Sequence, residues 1–221
     1  MKRTVRAELL DTDSGTPAEV RASLGDLRRI NCWFGGVATT EAMVERVARE
    51  GKTSTLSLLE VAAGTGYVPE NVRDRLRRRG LCLQVTLLDR VPSHLSNGER
   101  AVVGDALALP FHDGSFDLLS CTLFAHHLSP EELVQFIDEG LRVCRTALLI
   151  NDLIRNPLHL LLVYAGIPLY RSRITRYDAL ASVRRSYTPE EMQTFLARTK
   201  AARTEIRRHY LFRMGVIAWK Y

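Results

Sequence analysis

With 221 residues the chain is long enough for one sizeable core and short for two. Hydrophobic residues make up 46% and charged residues 25%, an ordinary globular balance, so one domain with local additions is expected rather than two. The net charge of +6 is spread over arginines from Arg77 to Arg208 instead of being gathered in one tail; it reads as solvated faces, with a cationic patch toward a membrane or an acidic carrier as the minority reading.

Residues 1–17 are polar and predict a loose start without the apolar stretch of a signal peptide. Val20, Leu24 and Leu27 recur at helical spacing and predict a helix from Pro17 to about Arg29, which "NCWFGG" (31–36) then breaks. A second helix is predicted from about Thr39, with Thr39 or Thr40 as N-cap, to Gly51 as C-cap.

From there strands and helices alternate. Strands are predicted at 56–62, 81–89, within 100–106, at 116–124 and at 146–152, with a helix from Pro130 to about Val143. Such alternation implies parallel strands joined by right-handed crossovers. The stretch 155–186, apolar and then arginine-rich, breaks the rhythm and reads as an insertion over the mouth of the sheet. Thr188 and Pro189 start a new helix as N-cap and first turn, and "RTEIRRHYLFRMGVIAWKY" suggests a two-stranded finish.

Four separated cysteines (Cys32, Cys82, Cys121 and Cys144) make no C-x-x-C pair, which indicates neither zinc nor a redox motif and fits a reducing, cytoplasmic setting. The longest apolar segment, 158–169, is interrupted by Gly166 and Pro168 and is too short to span a bilayer.

The strongest chemical signal is Glu60-Val-Ala-Ala-Gly64-Thr-Gly66, directly after the first strand. Glycines there let the backbone approach a ligand and turn sharply into a helix whose free amides can receive an anion. A dinucleotide fingerprint wants a third small residue where this chain has Pro69, which disfavours a nicotinamide oxidoreductase. Asp89 ends the second strand, where an acid accepts ribose hydroxyls; the plainer reading is a loop carboxylate beside Arg90. Asp105, in "GDA", either accepts from an adenine amino group or caps the following turn.

This ordered set, followed by "LPFHDGSFDLLSCTLFAHHL", resembles the seven-stranded S-adenosylmethionine methyltransferases over about residues 50–155, and most of all their small-molecule, quinone-type branch. The resemblance implies a Rossmann-like α/β fold: a mostly parallel seven-stranded sheet, helices on both faces, an antiparallel C-terminal hairpin and a helical lid. It divides the chain into a helical cover (1–50), a cofactor core (51–154), a lid (155–186) and a closing helix and hairpin (187–221). It implies a cofactor site of Glu60, Ala62, Gly64, Thr65, Gly66, Asp89, Arg90, Asp105, Ala106 and Leu123. Many members carry a Pro-Gly-Gly turn before the fifth strand; here "RVCRTALLI" enters directly, which suggests a subfamily. "LRRINCWFGG", "INDLIRN" and "SRITRYDALASVRRSYTPEEM" are similar to methyltransferases associated with polyketide synthases of the chalcone-synthase type, which makes alkylated phenols or quinols the expected acceptors.

A phenol needs a base or a nearby positive charge to react at neutral pH. His126 and His127 follow the fourth strand and are the candidate catalytic residues; packing against the cofactor is the alternative for each. No Asp or Glu partner for a metal is obvious near them. Substrate contacts are expected from Phe34, Asp152, Tyr164, Arg184 and Tyr187, with Asp152–Arg155 and Asp178–Arg184 pairs as the competing readings. The segment 157–169 reads equally as a tunnel wall or as a buried core or dimer face, and membrane-surface contact is a third reading. The expected protein is thus a cytoplasmic small-molecule O-methyltransferase, monomer or homodimer, using S-adenosylmethionine and binding no nucleic acid. A methyltransferase of a macromolecule and a non-catalytic cofactor-binding module are the alternatives.

Overall fold

A computed structural model describes residues 1–12, 14–92, 95 and 100–221. Seven strands are formed: β1 (Thr55–Val61), β2 (Cys82–Asp89), β3 (Ala101–Val103), β4 (Phe116–Thr122), β5 (Cys144–Leu153), β6 (Arg203–His209) and β7 (Arg213–Trp219). They make one sheet in the order β3-β2-β1-β4-β5-β7-β6. The first five are parallel, and β7 runs antiparallel between β5 and β6. This is the expected Rossmann-like sheet with its C-terminal hairpin.

The central strands read as near-continuous apolar runs because both faces of the sheet are covered. Alternate residues sort onto the two faces. On one side Leu59, Val61, Leu119, Leu148 and Ile150 pack against α4 (Pro130–Val143), through Leu133, Phe136 and Ile137. On the other, Leu58, Leu118 and Leu149 meet Val44 and Val47 of α2 (Gly36–Gly51) and Val72 and Leu76 of α3 (Tyr67–Arg77). The strand order reverses between β1 and β4, so their carboxyl ends open a crevice where such sheets bind ligands.

Local sequence starts the helices. In α1 (Pro17–Trp33), α4 and α7 (Pro189–Leu196), a Thr or Ser N-cap and a Glu three residues on satisfy each other's backbone N–H, with Pro in the first turn. Two boundaries differ from expectation. α1 runs on to Trp33, and α2 begins at Gly36 behind Gly35 (φ +77°), with Thr39 and Thr40 buried inside it and Lys52, not Gly51, as C-cap. The turn needs a glycine at Gly35, and Gly36 sits so close to Asn31 that a Cβ would collide with it.

The start of the chain is not loose. Asp178 of α6 (Arg173–Arg185) accepts from Leu9 N at 2.7 Å and Leu10 N at 3.1 Å, and Arg3 Nε donates to Arg185 O at 2.6 Å. Position 13, within that stretch, lies outside the described residues. The 155–186 segment holds α5 (Pro157–Gly166), a short turn (Ile167–Leu169) and α6. α5 turns His159 and Val163 inward and leaves Leu158, Leu161 and Leu162 exposed. Among the described residues no helix is long and apolar enough to cross a membrane.

Candidate active site

A cavity of about 990 Å³ opens at the switch point. Its floor is made by the residues that leave β1 and β4. Ala62 (φ +53°) and Leu123 (φ +57°) both hold left-handed backbone that an L side chain disfavours, and both line the cavity. The two glycines of the turn differ in role. A Cβ on Gly64 (φ +52°) would meet nothing within 4 Å, so its backbone faces open space. A Cβ on Gly66 (φ +71°) would stand 2.6 Å from Leu87 Cδ1; Gly66 is the N-cap of α3 and packs on β2, outside the cavity wall.

Thr65, Asp89, Arg90, Asp105 and Ala106 line the same cavity. Asp89 is fixed by two backbone donors, Gly64 N at 2.8 Å to Oδ2 and Val91 N at 2.9 Å to Oδ1. Asp105 caps its own turn, Oδ1 accepting from Leu107 N at 2.9 Å, while still bordering the cavity. Glu60 is 1% exposed and accepts from the Ser120 hydroxyl. Burial pushes its pKa to about 7 against that hydrogen bond, and no described Lys, Arg or His forms an ion pair with it. A buried, unpaired carboxylate on a cavity wall suits a cationic ligand group.

Past Leu123 the chain makes a short turn, Ala125–His127. His126 is buried, with Nδ1 2.7 Å from Asp152 Oδ1, Nε2 3.2 Å from Glu8 Oε1, and its backbone N–H donating to Asp152 Oδ2 at 2.8 Å. Burial alone would lower its pKa; the facing carboxylates of Asp152 and Glu8 reverse this and raise it to about 10. With both ring nitrogens engaged, His126 has none free to take an acceptor's proton, which removes it as a general base. His127 lines the cavity with Nδ1 3.1 Å from Asp11 Oδ2 and its carbonyl accepting from Arg185 at 2.6 Å.

The expected substrate contacts separate. Phe34 lines the cavity beside Trp33. Asp152 does not line it: it is buried behind His126, and Arg155 pairs instead with Glu191 at 2.6 Å. Tyr187 is buried and donates to Leu128 O at 2.7 Å, a packing role. Arg184 donates to the Tyr164 hydroxyl in an exposed hydrogen bond, outside the cavity lining, and Asp178 is taken up by the Leu9 and Leu10 amides. Glu8 and Asp11 escaped the sequence reading altogether. They sit in a polar run with no periodicity, and nothing local pairs them with histidines more than a hundred positions away.

Residues 59–147 match a family model described as a methyltransferase domain. No curated protein matches the sequence. Among solved structures, the plantazolicin methyltransferase BpumL in complex with SAH is similar at TM-score 0.70 and 14% identity, over 96% of this chain and 94% of that one. A magnesium protoporphyrin IX methyltransferase from Synechocystis with bound SAH follows at 0.54 and 14%, over 85% and 84%. A SAM-dependent methyltransferase from Aquifex aeolicus gives 0.53 and 16%, over 80% and 89%. At these identities the likeness is one of fold.

Proposed function

We propose that the chain is a small-molecule methyltransferase, with O-methylation of a phenolic, quinol or polyketide-type acceptor as its reaction. The methyl donor is S-adenosylmethionine. The observation that carries the reading is the meeting of Glu60, the Gly64 turn, Asp89 and Asp105 on one cavity of about 990 Å³, at the upper end of what a small-molecule site needs. The residues fit the donor: Gly64 leaves open space, Glu60 is a buried carboxylate wanting a cation, and the α3 N-terminus offers amides to a carboxylate.

Glu60 would hold the donor's ammonium, Asp89 its ribose hydroxyls, and Asp105 with Ala106 its adenine. The donor, when bound, supplies a sulfonium methyl that an acceptor nucleophile takes by in-line displacement. The acceptor half of the cavity is apolar where Leu24, Leu27, Val163, Leu169 and Phe212 line it, which favours an alkylated or aromatic acceptor. Two of the similar structures are named for small acceptors, plantazolicin and magnesium protoporphyrin IX, which supports that class. His127 and Glu8 stand at the acceptor end; Asp152 positions His126 and does not contact substrate.

Isothermal titration tests the reading: S-adenosylhomocysteine binds saturably and NAD does not. Saturable NAD binding without a response to S-adenosylhomocysteine overturns it. A screen of phenols, quinols and alkylated polyketides with labelled donor, read by mass spectrometry, then identifies the acceptor.

A further inference from the structure

The donor end of the cavity does not use Glu8, His126 and His127. Nε2 of His126 lies 3.2 Å, and Nε2 of His127 3.7 Å, from the same oxygen, Oε1 of Glu8. One ligand atom from each residue falls within 4.8 Å of the other two. Atoms bound to a tetrahedral zinc at about 2.0–2.2 Å stand about 3.4 Å apart, so closing this triangle on an ion needs only small side-chain shifts.

The other ring nitrogens are held as well. Asp152 Oδ1 is 2.7 Å from Nδ1 of His126, and Asp11 Oδ2 is 3.1 Å from Nδ1 of His127. A carboxylate on the far nitrogen is how proteins aim a metal-binding imidazole and raise its basicity. Glu8 is steadied by Ser182, whose hydroxyl donates to Oε1 at 2.8 Å. Glu8, Asp11 and Asp152 face two cations, Arg185, 3.7 Å from Asp11 and 3.4 Å from Nδ1 of His127, and Arg213 beside Asp152, while Asp178 adds to the negative field. A divalent cation entering between the rings displaces the proton that His126 shares with Glu8, as binding to an imidazole requires.

We propose that Glu8, His126 and His127 form a divalent-metal site, for which zinc is the suitable ion, at the acceptor end of the cavity. Two imidazoles and one carboxylate are a ligand set that zinc takes with a further position open. All three residues line the cavity, so an ion between them is reachable from it. The site stands on its own residues. Its role in catalysis rests on the methyltransferase reading: the ion coordinates an acceptor hydroxyl and lowers its pKa, the proton leaving to water, and so does the work His126 cannot do as a base.

The test uses the full-length chain, treated with chelator, desalted and titrated with cobalt(II) chloride while the visible d–d bands are followed. Saturation at one equivalent is expected, with displacement by zinc chloride. Glu8→Gln and His127→Ala are expected to weaken cobalt binding at least tenfold. Asp11→Asn, at a half-exposed position that leaves the fold intact, is expected to weaken it about 10- to 100-fold through His127. Absence of saturable binding overturns the site, as does binding unchanged in Glu8→Gln and Asp11→Asn, which would put the ion elsewhere. S-adenosylhomocysteine titrated into the same preparation separates the two readings. Its binding without cobalt removes only the metal site, and cobalt binding without it removes only the methyltransferase reading.

Discussion

The backbone N–H of Gly64 donates to Asp89 Oδ2 at 2.8 Å, tying the glycine turn after β1 to the acid that ends β2. Asp89 therefore shapes the turn as well as facing the cavity. Asp89→Ala is expected to weaken S-adenosylhomocysteine binding about 10- to 100-fold, the worth of a charge-assisted hydrogen bond, as read by isothermal titration. Unchanged affinity would move the donor site elsewhere.

Gly64 and Gly66 separate binding from stability. Gly64→Ala costs about 1 kcal/mol of left-handed backbone strain and pushes a methyl group into the cavity, so ligand affinity falls more than stability. Gly66→Ala adds a collision with Leu87 to its strain and should lower unfolding free energy by about 2 kcal/mol or more. Urea unfolding of both variants checks the contrast; equal losses would contradict it.

Glu60 makes the domain pH-sensitive. Its folded pKa, about 7, lies above the ordinary 4.5, so the fold prefers the neutral acid. Its contribution to stability is complete below 4.5 and is lost as pH rises through about 7. Glu60→Gln should match the parent protein in mild acid and exceed it by about 3 kcal/mol in mild alkali, from the size of the shift. Ligand binding runs the other way: the carboxylate that holds an ammonium forms only as pH passes about 7, so affinity should rise across that range and lose this dependence in Glu60→Gln. Parallel curves for both proteins would dismiss the assignment.

Arg213 is 1% exposed and donates to Asn31 Oδ1 at 2.8 Å, Asn151 Oδ1 at 3.3 Å and Phe34 O at 3.2 Å. Burial lowers its pKa to about 10, with Asp152 opposing. It joins the end of α1 to β5 and β7 and lines the cavity. Arg213→Met strands the buried amide oxygens of Asn31 and Asn151 and the part-buried carbonyl of Phe34, and should cost about 3 kcal/mol or more in urea unfolding. A loss below about 1 kcal/mol would mean that water replaces the guanidinium.

The sequence by itself determined what is local or periodic. The apolar runs of β1, β4 and β5, the glycine turn at 64–66, the Thr188–Pro189 helix start and the closing hairpin all stand where residue pattern puts them, because each depends on neighbours a few positions away. The tertiary structure alone decided the partners of isolated polar groups. Glu8 meets His126 across 118 positions, Arg213 meets Asn31 across 182, and Asp152 turns from the cavity to a histidine. A lone polar residue carries no period, and its pairing follows from which backbones the packed sheet brings together. For the same reason the polar first residues read as a loose start: the amides that fix them to Asp178 exist in every chain and leave no mark in the sequence.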